Sequence, residues 1–155
     1  MEFRDLKQQY QVLKSDIDQA LVDVATSGAY IMGGPVKALE QELADYVGVK
    51  HCISCANGTD ALTLALKCWG VGAGDAVFVP DFTFFASAEV IALEGATPVF
   101  VDVERNTFNL DPANLEAAID AVRAEGLLHP KVVIGVDLFG LPARWNEIKA
   151  IAKRE

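Results

Sequence analysis

Basic residues are scarce: 13 lysines and arginines stand against 22 aspartates and glutamates, a formal charge of −9. That deficit argues against nucleic acid or an anionic membrane as partner, since either would leave a positive footprint on the protein. A single phosphate group is still admissible, because a few backbone N–H groups can hold one inside an acidic protein. Cysteine is also sparse, three residues spread through apolar sequence, so no disulfide framework is expected. No uncharged apolar run approaches the roughly 20 residues of a membrane span. The opening Met1-Glu2-Phe3-Arg4-Asp5 places charges where a secretory signal needs an apolar stretch. These absences predict a reduced, cytoplasmic protein. Apolar residues are abundant, 52% of a 155-residue chain, enough for the core of one globular domain.

The apolar residues fall at regular spacings. Leu6, Tyr10, Leu13, Ile17, Leu21 and Val24 recur every three or four positions, which predicts an amphipathic helix from Phe3 to Ser27, ended by Gly28. A second helix is expected from Pro35 through Tyr46, stopping near Gly48. Residues 1–48 thus form a helical segment, after which the pattern alternates. Strands are predicted at His51–Cys55, Ala76–Val79, Pro98–Val101 and Lys131–Val136. Helices are predicted over Ala61–Trp69, around Ala86–Leu93, from Asp111-Pro112 through Val122, and from Pro142 onward. Short apolar strands separated by helices imply βαβ units, hence an α/β fold with a mainly parallel sheet and helices on both faces. The sequence stops inside a helical pattern with no strand after it, so an incomplete domain is expected.

The densest chemical signal is Ser54-Cys55-Ala56-Asn57-Gly58-Thr59-Asp60-Ala61-Leu62, a turn between an expected strand and a helix. Gly58 permits close backbone approach, while the N–H groups of Thr59 and Asp60 would be free at the helix start and the Thr59 hydroxyl adds a donor. Such a terminus suits a phosphate; from these residues alone, capping of the helix by Asn57 or Thr59 is the simpler reading, and the phosphate needs support from elsewhere. Asp111 before Pro112 reads as another N-cap. Cys52-x-x-Cys55 has half of a metal or redox spacing, but residues three apart on a strand face opposite sides and no second pair exists. His51 and His129 have no spaced partners.

Taken in order, several segments resemble the sugar aminotransferases of the DegT/StrS type, fold-type I pyridoxal-phosphate enzymes. They are Phe3-Arg4-Asp5-Leu6, Ser27-Gly28-Ala29-Tyr30-Ile31-Met32-Gly33, Ala56-Asn57-Gly58-Thr59-Asp60-Ala61-Leu62, Pro80-Asp81-Phe82-Thr83-Phe84-Phe85-Ala86-Ser87, Gly95-Ala96-Thr97-Pro98-Val99-Phe100-Val101-Asp102 and Thr107-Phe108-Asn109-Leu110-Asp111. The resemblance covers nearly the whole chain and implies the N-terminal part of a three-layer large domain, cut off before the rest of that domain and the small domain. It assigns the cofactor phosphate to Gly58, Thr59 and Asp60, and the face of the pyridoxal ring to Phe84, where an aromatic would stack. Gly28 and Tyr30 match a segment near the nucleotide-sugar substrate. Phe139, Gly140 and Pro142 fit a shaped turn after a strand. The family also implies an amino-acid donor, usually glutamate, and a homodimer.

Such chemistry requires a Schiff-base lysine and an aspartate at the pyridinium nitrogen. In the resembling family both follow the last residue of this chain, and some relatives carry histidine in place of the lysine and dehydrate instead. None of the lysines present stands in the family context, so the chain alone is expected to be inactive. Two rivals remain: a non-catalytic binding or dimerising module, and a nucleotide-binding oxidoreductase. The second is disfavoured because no Gly-x-Gly-x-x-Gly follows a strand.

Overall fold

The computed structural model describes residues 4–154. They divide into two compact units, the first ending at Ser54 and the second beginning at Cys55.

The first unit holds α1 (Leu6–Ser27) and α2 (Gly34–Val47). Asp5 caps α1 by accepting the Gln8 N–H at 2.8 Å, and Gly28 ends it in the left-handed region at φ 67°. Phe3, expected to open this helix, lies outside the described residues. Pro35 sits in the first turn of α2, and Gly48 (φ 74°) closes that helix by donating its N–H to Ala44 O and Asp45 O. The strand expected at His51–Cys55 does not form. A strand exists only through a ladder, and here the Ser54 N–H and hydroxyl both donate to Glu40 Oε1 at 2.8 Å. Those bonds hold the Glu40 carboxyl below its ordinary range. Ile53 is left largely exposed.

The second unit is a three-stranded parallel sheet, order β2-β1-β3, made of β1 (Asp75–Pro80), β2 (Thr97–Val101) and β3 (His129–Val133). Its helices are α3 (Gly58–Cys68), α4 (Ala86–Leu93), α5 (Pro112–Glu125) and α6 (Trp145–Arg154). The α/β class and parallel sheet predicted from the sequence are therefore found. β1 is central, and its side chains alternate between two cores. Ala76 and Phe78 join Val101, Leu115, Ile119 and Ile148 on the α5–α6 face. Val77 and Val79 join Leu66, Val90 and Ile91 on the α3–α4 face.

Among the boundaries that differ from expectation, those of α3, β3 and α6 have a visible cause. α3 starts at Gly58 rather than Ala61 because Asn57 caps it. β3 ends at Val133 rather than Val136. Ile134 N–H still donates to Phe78 O at 2.8 Å, but the next donor on that side of β1 would be Pro80, which has no N–H. α6 begins at Trp145 rather than Pro142, because the Ala143 N–H donates to Asp137 Oδ1 at 2.8 Å and the first helical acceptor is Arg144 O. Asp111, as read from the sequence, caps α5 through the Ala113 N–H at 2.9 Å.

Candidate functional site

The β1→β2 crossover moves to one side of β1, and the chain then returns to place β3 on the other. Adjacent strands whose connections run in opposite directions leave a crevice at their C-terminal ends, where ligands of open α/β sheets bind. An open hollow of about 400 Å³ lies there, formed by the start of α3, the loop after β1 and the loop after β3.

The α3 wall is set by the cap. Asn57 Oδ1 accepts the Asp60 N–H at 2.9 Å, Asn57 O accepts the Ala61 N–H at 3.2 Å, and Asn57 Nδ2 donates to the Asp60 carboxylate at 3.1 Å. The N–H groups of Gly58 and Thr59 therefore remain as donors with no helical acceptor. This shifts the expected pair by one residue: the Asp60 N–H is occupied, and Asp60 does not line the hollow, whereas Gly58 and Thr59 do. The sequence left capping and phosphate binding as alternatives; Asn57 performs the first, which frees its two successors for the second.

The loop after β1 supplies Thr83, Phe84 and Ser87. Phe84 is 77% exposed, so it is not a core aromatic, and it lines the same hollow as Gly58 and Thr59. The Thr83 and Ser87 hydroxyls lie 3.0 Å apart, and Ser87 is buried in the first turn of α4.

The loop after β3 supplies Val136 to Phe139. Leu138–Gly140 form one 3-10 turn in which Phe139 takes φ 53° and Gly140 φ 85°, the shaped turn expected there. Two side chains fasten it. Asn109, 3% exposed, accepts the Leu138 N–H at 3.1 Å and donates to Leu141 O at 2.9 Å. Asp137 Oδ1 accepts both the Ala143 N–H and, at 2.7 Å, the Trp145 Nε1–H. Sequence reasoning gave neither Asn109 nor Trp145 a role; a buried asparagine has no periodic signature.

No lysine lines the hollow among the described residues. Lys131 stands at the opposite end of the sheet, donating to Asp75 Oδ2 at 2.8 Å and to Gly70 O at 2.6 Å. That bond, followed by the Gly72 N–H, holds the Asp75 carboxyl below its ordinary value. Gly28 and Tyr30 belong to the first unit: Gly28 caps α1, and the exposed Tyr30 donates its hydroxyl to Ala25 O at 3.0 Å.

Comparison with known proteins places this geometry. A UDP-2-acetamido-2-deoxy-3-oxo-D-glucuronate aminotransferase of Pseudomonas aeruginosa is 48% identical over 154 residues, covering 99% of this chain and 41% of the relative. Among solved structures, a DegT DnrJ EryC1 StrS aminotransferase from Brucella abortus superposes with a TM-score of 0.97 at 52% identity, over 100% of this chain and 42% of that one. Spr1654 of Streptococcus pneumoniae, solved in a PLP form, superposes at 0.77 with 36% identity, over 86% of this chain and 32% of its own. The chain thus spans about two fifths of the relatives it matches, and its fold is that of fold-type I PLP-dependent aminotransferases. With residues 11–155 matching it, the chain belongs to the DegT/DnrJ/EryC1/StrS aminotransferase family.

Proposed function

We propose that the hollow holds pyridoxal 5'-phosphate and that this chain is the cofactor-binding part of an aminotransferase moving an amino group from an amino acid, glutamate for preference, to a nucleotide-linked keto-sugar. The observation that carries this reading is the meeting, in one hollow, of two N–H donors without a helical acceptor and the exposed face of Phe84. Gly58 and Thr59 offer backbone donors, a hydroxyl and the positive end of the α3 dipole to a phosphate. Phe84 offers a flat face to a ring and shields one side of it from water. When bound, the cofactor supplies an electron sink for the carbon that loses or gains the amino group.

The similarity to the Pseudomonas aminotransferase favours a UDP-linked 3-oxo sugar as acceptor. Gly28 and Tyr30 are assigned to the substrate side, and Asp60 supports the cap behind the phosphate turn. The active form is a cytoplasmic homodimer working in polysaccharide biosynthesis.

Calorimetric titration of the chain with pyridoxal phosphate tests the reading. Saturable binding is expected, weakened in Thr59→Val by about 10- to 100-fold, as for a lost hydrogen bond to a charged group worth about 1.5–3 kcal/mol. Borohydride reduction of the mixture should mark no single lysine. An unchanged affinity in the variant leaves Thr59 as a helix residue and refutes its role.

A further inference from the structure

We propose that Asn109 is the positioning residue of the hollow: it never touches the ligand, but fixes the Leu138–Leu141 turn and with it the place of Phe139. The inference rests on the reading of the hollow given above.

All the polar groups of Asn109 are committed. Its N–H donates to Thr107 Oγ1 at 3.2 Å, its carbonyl accepts the Glu104 N–H at 2.9 Å, and its amide bonds both ends of the turn, 29 and 32 residues away. A buried amide is tolerated only when satisfied, and one satisfied by distant backbone holds that backbone in place. Replacing it leaves the Leu138 N–H and the Leu141 carbonyl without partners.

The turn it holds would not adopt this shape unaided. Phe139 is in the left-handed region at φ 53°, where residues with a side chain are strained. It is also 89% exposed, so no burial of its ring offsets that strain. Strain with no local compensation is maintained by the surroundings and concentrates at functional sites. Here the surroundings are Asn109 on one side and the Asp137–Trp145 bond on the other, and the strained ring lines the same hollow as Phe84 and Thr59. The geometry makes Phe139 a preformed wall for a flat ligand ring. The phosphate donors at Gly58 and Thr59 lie on another element and do not depend on Asn109.

That independence defines the test. The 155-residue chain is titrated with two probes, pyridoxamine phosphate, which carries both ring and phosphate, and inorganic phosphate, at a temperature where every variant is fully folded. Asn109→Leu, similar in volume and without hydrogen bonds, should weaken pyridoxamine phosphate by about tenfold and leave inorganic phosphate unchanged. Asn109→Asp keeps an acceptor for the Leu138 N–H and should fall between variant and parent. Hydrogen exchange of the Leu138 amide should accelerate in Asn109→Leu and stay slow in Asn109→Asp. Should Asn109→Leu fail to fold, Phe139→Ala removes the ring without touching the clamp and must show the same selective loss. Variants that bind both probes as the parent does, or lose both alike, overturn the positioning role alone. A parent that binds neither probe overturns the reading of the hollow and this inference with it.

Discussion

Gly135 is not in a positive-φ conformation, so its reason for being glycine is space. A Cβ there would lie 2.6 Å from Trp145 Cη2, 3.0 Å from Cζ3 and 3.2 Å from Cζ2. These are atoms of one rigid ring, which cannot yield at its tip as a flexible chain would. The ring is also tethered by the 2.7 Å Nε1–H bond to Asp137 and packs against the α5–α6 core. Gly135→Ala must therefore displace the whole indole. Overpacking of this kind costs about 1–3 kcal/mol. Against it stands the stiffer unfolded chain of alanine, which stabilises by about 0.4–1 kcal/mol where the backbone is compatible. The clash outweighs that gain, so net destabilisation is expected, lowering Tm by about 2–4 °C per kcal/mol in a chain of this size. Thermal melts followed by near-ultraviolet circular dichroism report both the stability and the indole environment. A double-mutant cycle with Trp145→Phe isolates the contact: the smaller ring should accept the new methyl, so the pair should cost less than the sum of the two singles. A Gly135→Ala chain as stable as the parent, or strict additivity in the cycle, refutes the argument.

Phe139→Asn removes a strained aromatic that is hardly buried and substitutes a residue that tolerates the left-handed region. It should raise Tm by a few degrees, for relief of about 1 kcal/mol, while weakening pyridoxamine phosphate binding; a loss of both quantities would contradict the strain account. Phe84→Leu keeps apolar bulk but loses the flat face, so cofactor affinity should drop by up to about tenfold, from a stacking contribution of about 0.5–1.5 kcal/mol, with Tm unmoved because Phe84 is exposed. The Glu104 carboxyl is held below its usual 4.5, first by Arg144 and then by Thr107. A depressed carboxylate contributes stability that is present above pH 4.5 and lost as the pH falls through the lowered value. Glu104→Gln should therefore be less stable than the parent at neutral pH, with the difference closing in acid; a gap that persists at low pH would show that the ion pair is not its source.

Much of the fold was readable because it is local. Gly28 and Gly48 end helices by a backbone conformation that glycine adopts freely, and Asp111 begins one with its own carboxylate. These preferences operate within a single turn and survive any tertiary context. The central strand β1 was equally plain, since burial on both faces of a parallel sheet demands a continuous apolar run. Pairing is not local. His51–Cys55 has the composition of a strand, yet the Ser54 donor goes to Glu40, fourteen residues back. The end of β3 depends on what Pro80 cannot donate, more than fifty residues earlier in the chain.

The candidate site divides in the same way. Sequence by itself, through the family resemblance, named Gly58, Thr59 and Phe84 as cofactor contacts, because their types match the chemistry of a phosphate and a ring. The tertiary structure decided that these three share one hollow, since the reversal of winding at β1 brings the loops after β1 and β3 beside the start of α3. It also decided which N–H groups are free, by assigning Asn57 as the cap and removing Asp60 from the pair. Asn109 and Trp145 became legible only in three dimensions: a hydrogen bond that reaches 29 residues along the chain leaves no period in the sequence, and its worth depends entirely on where the fold carries its two ends.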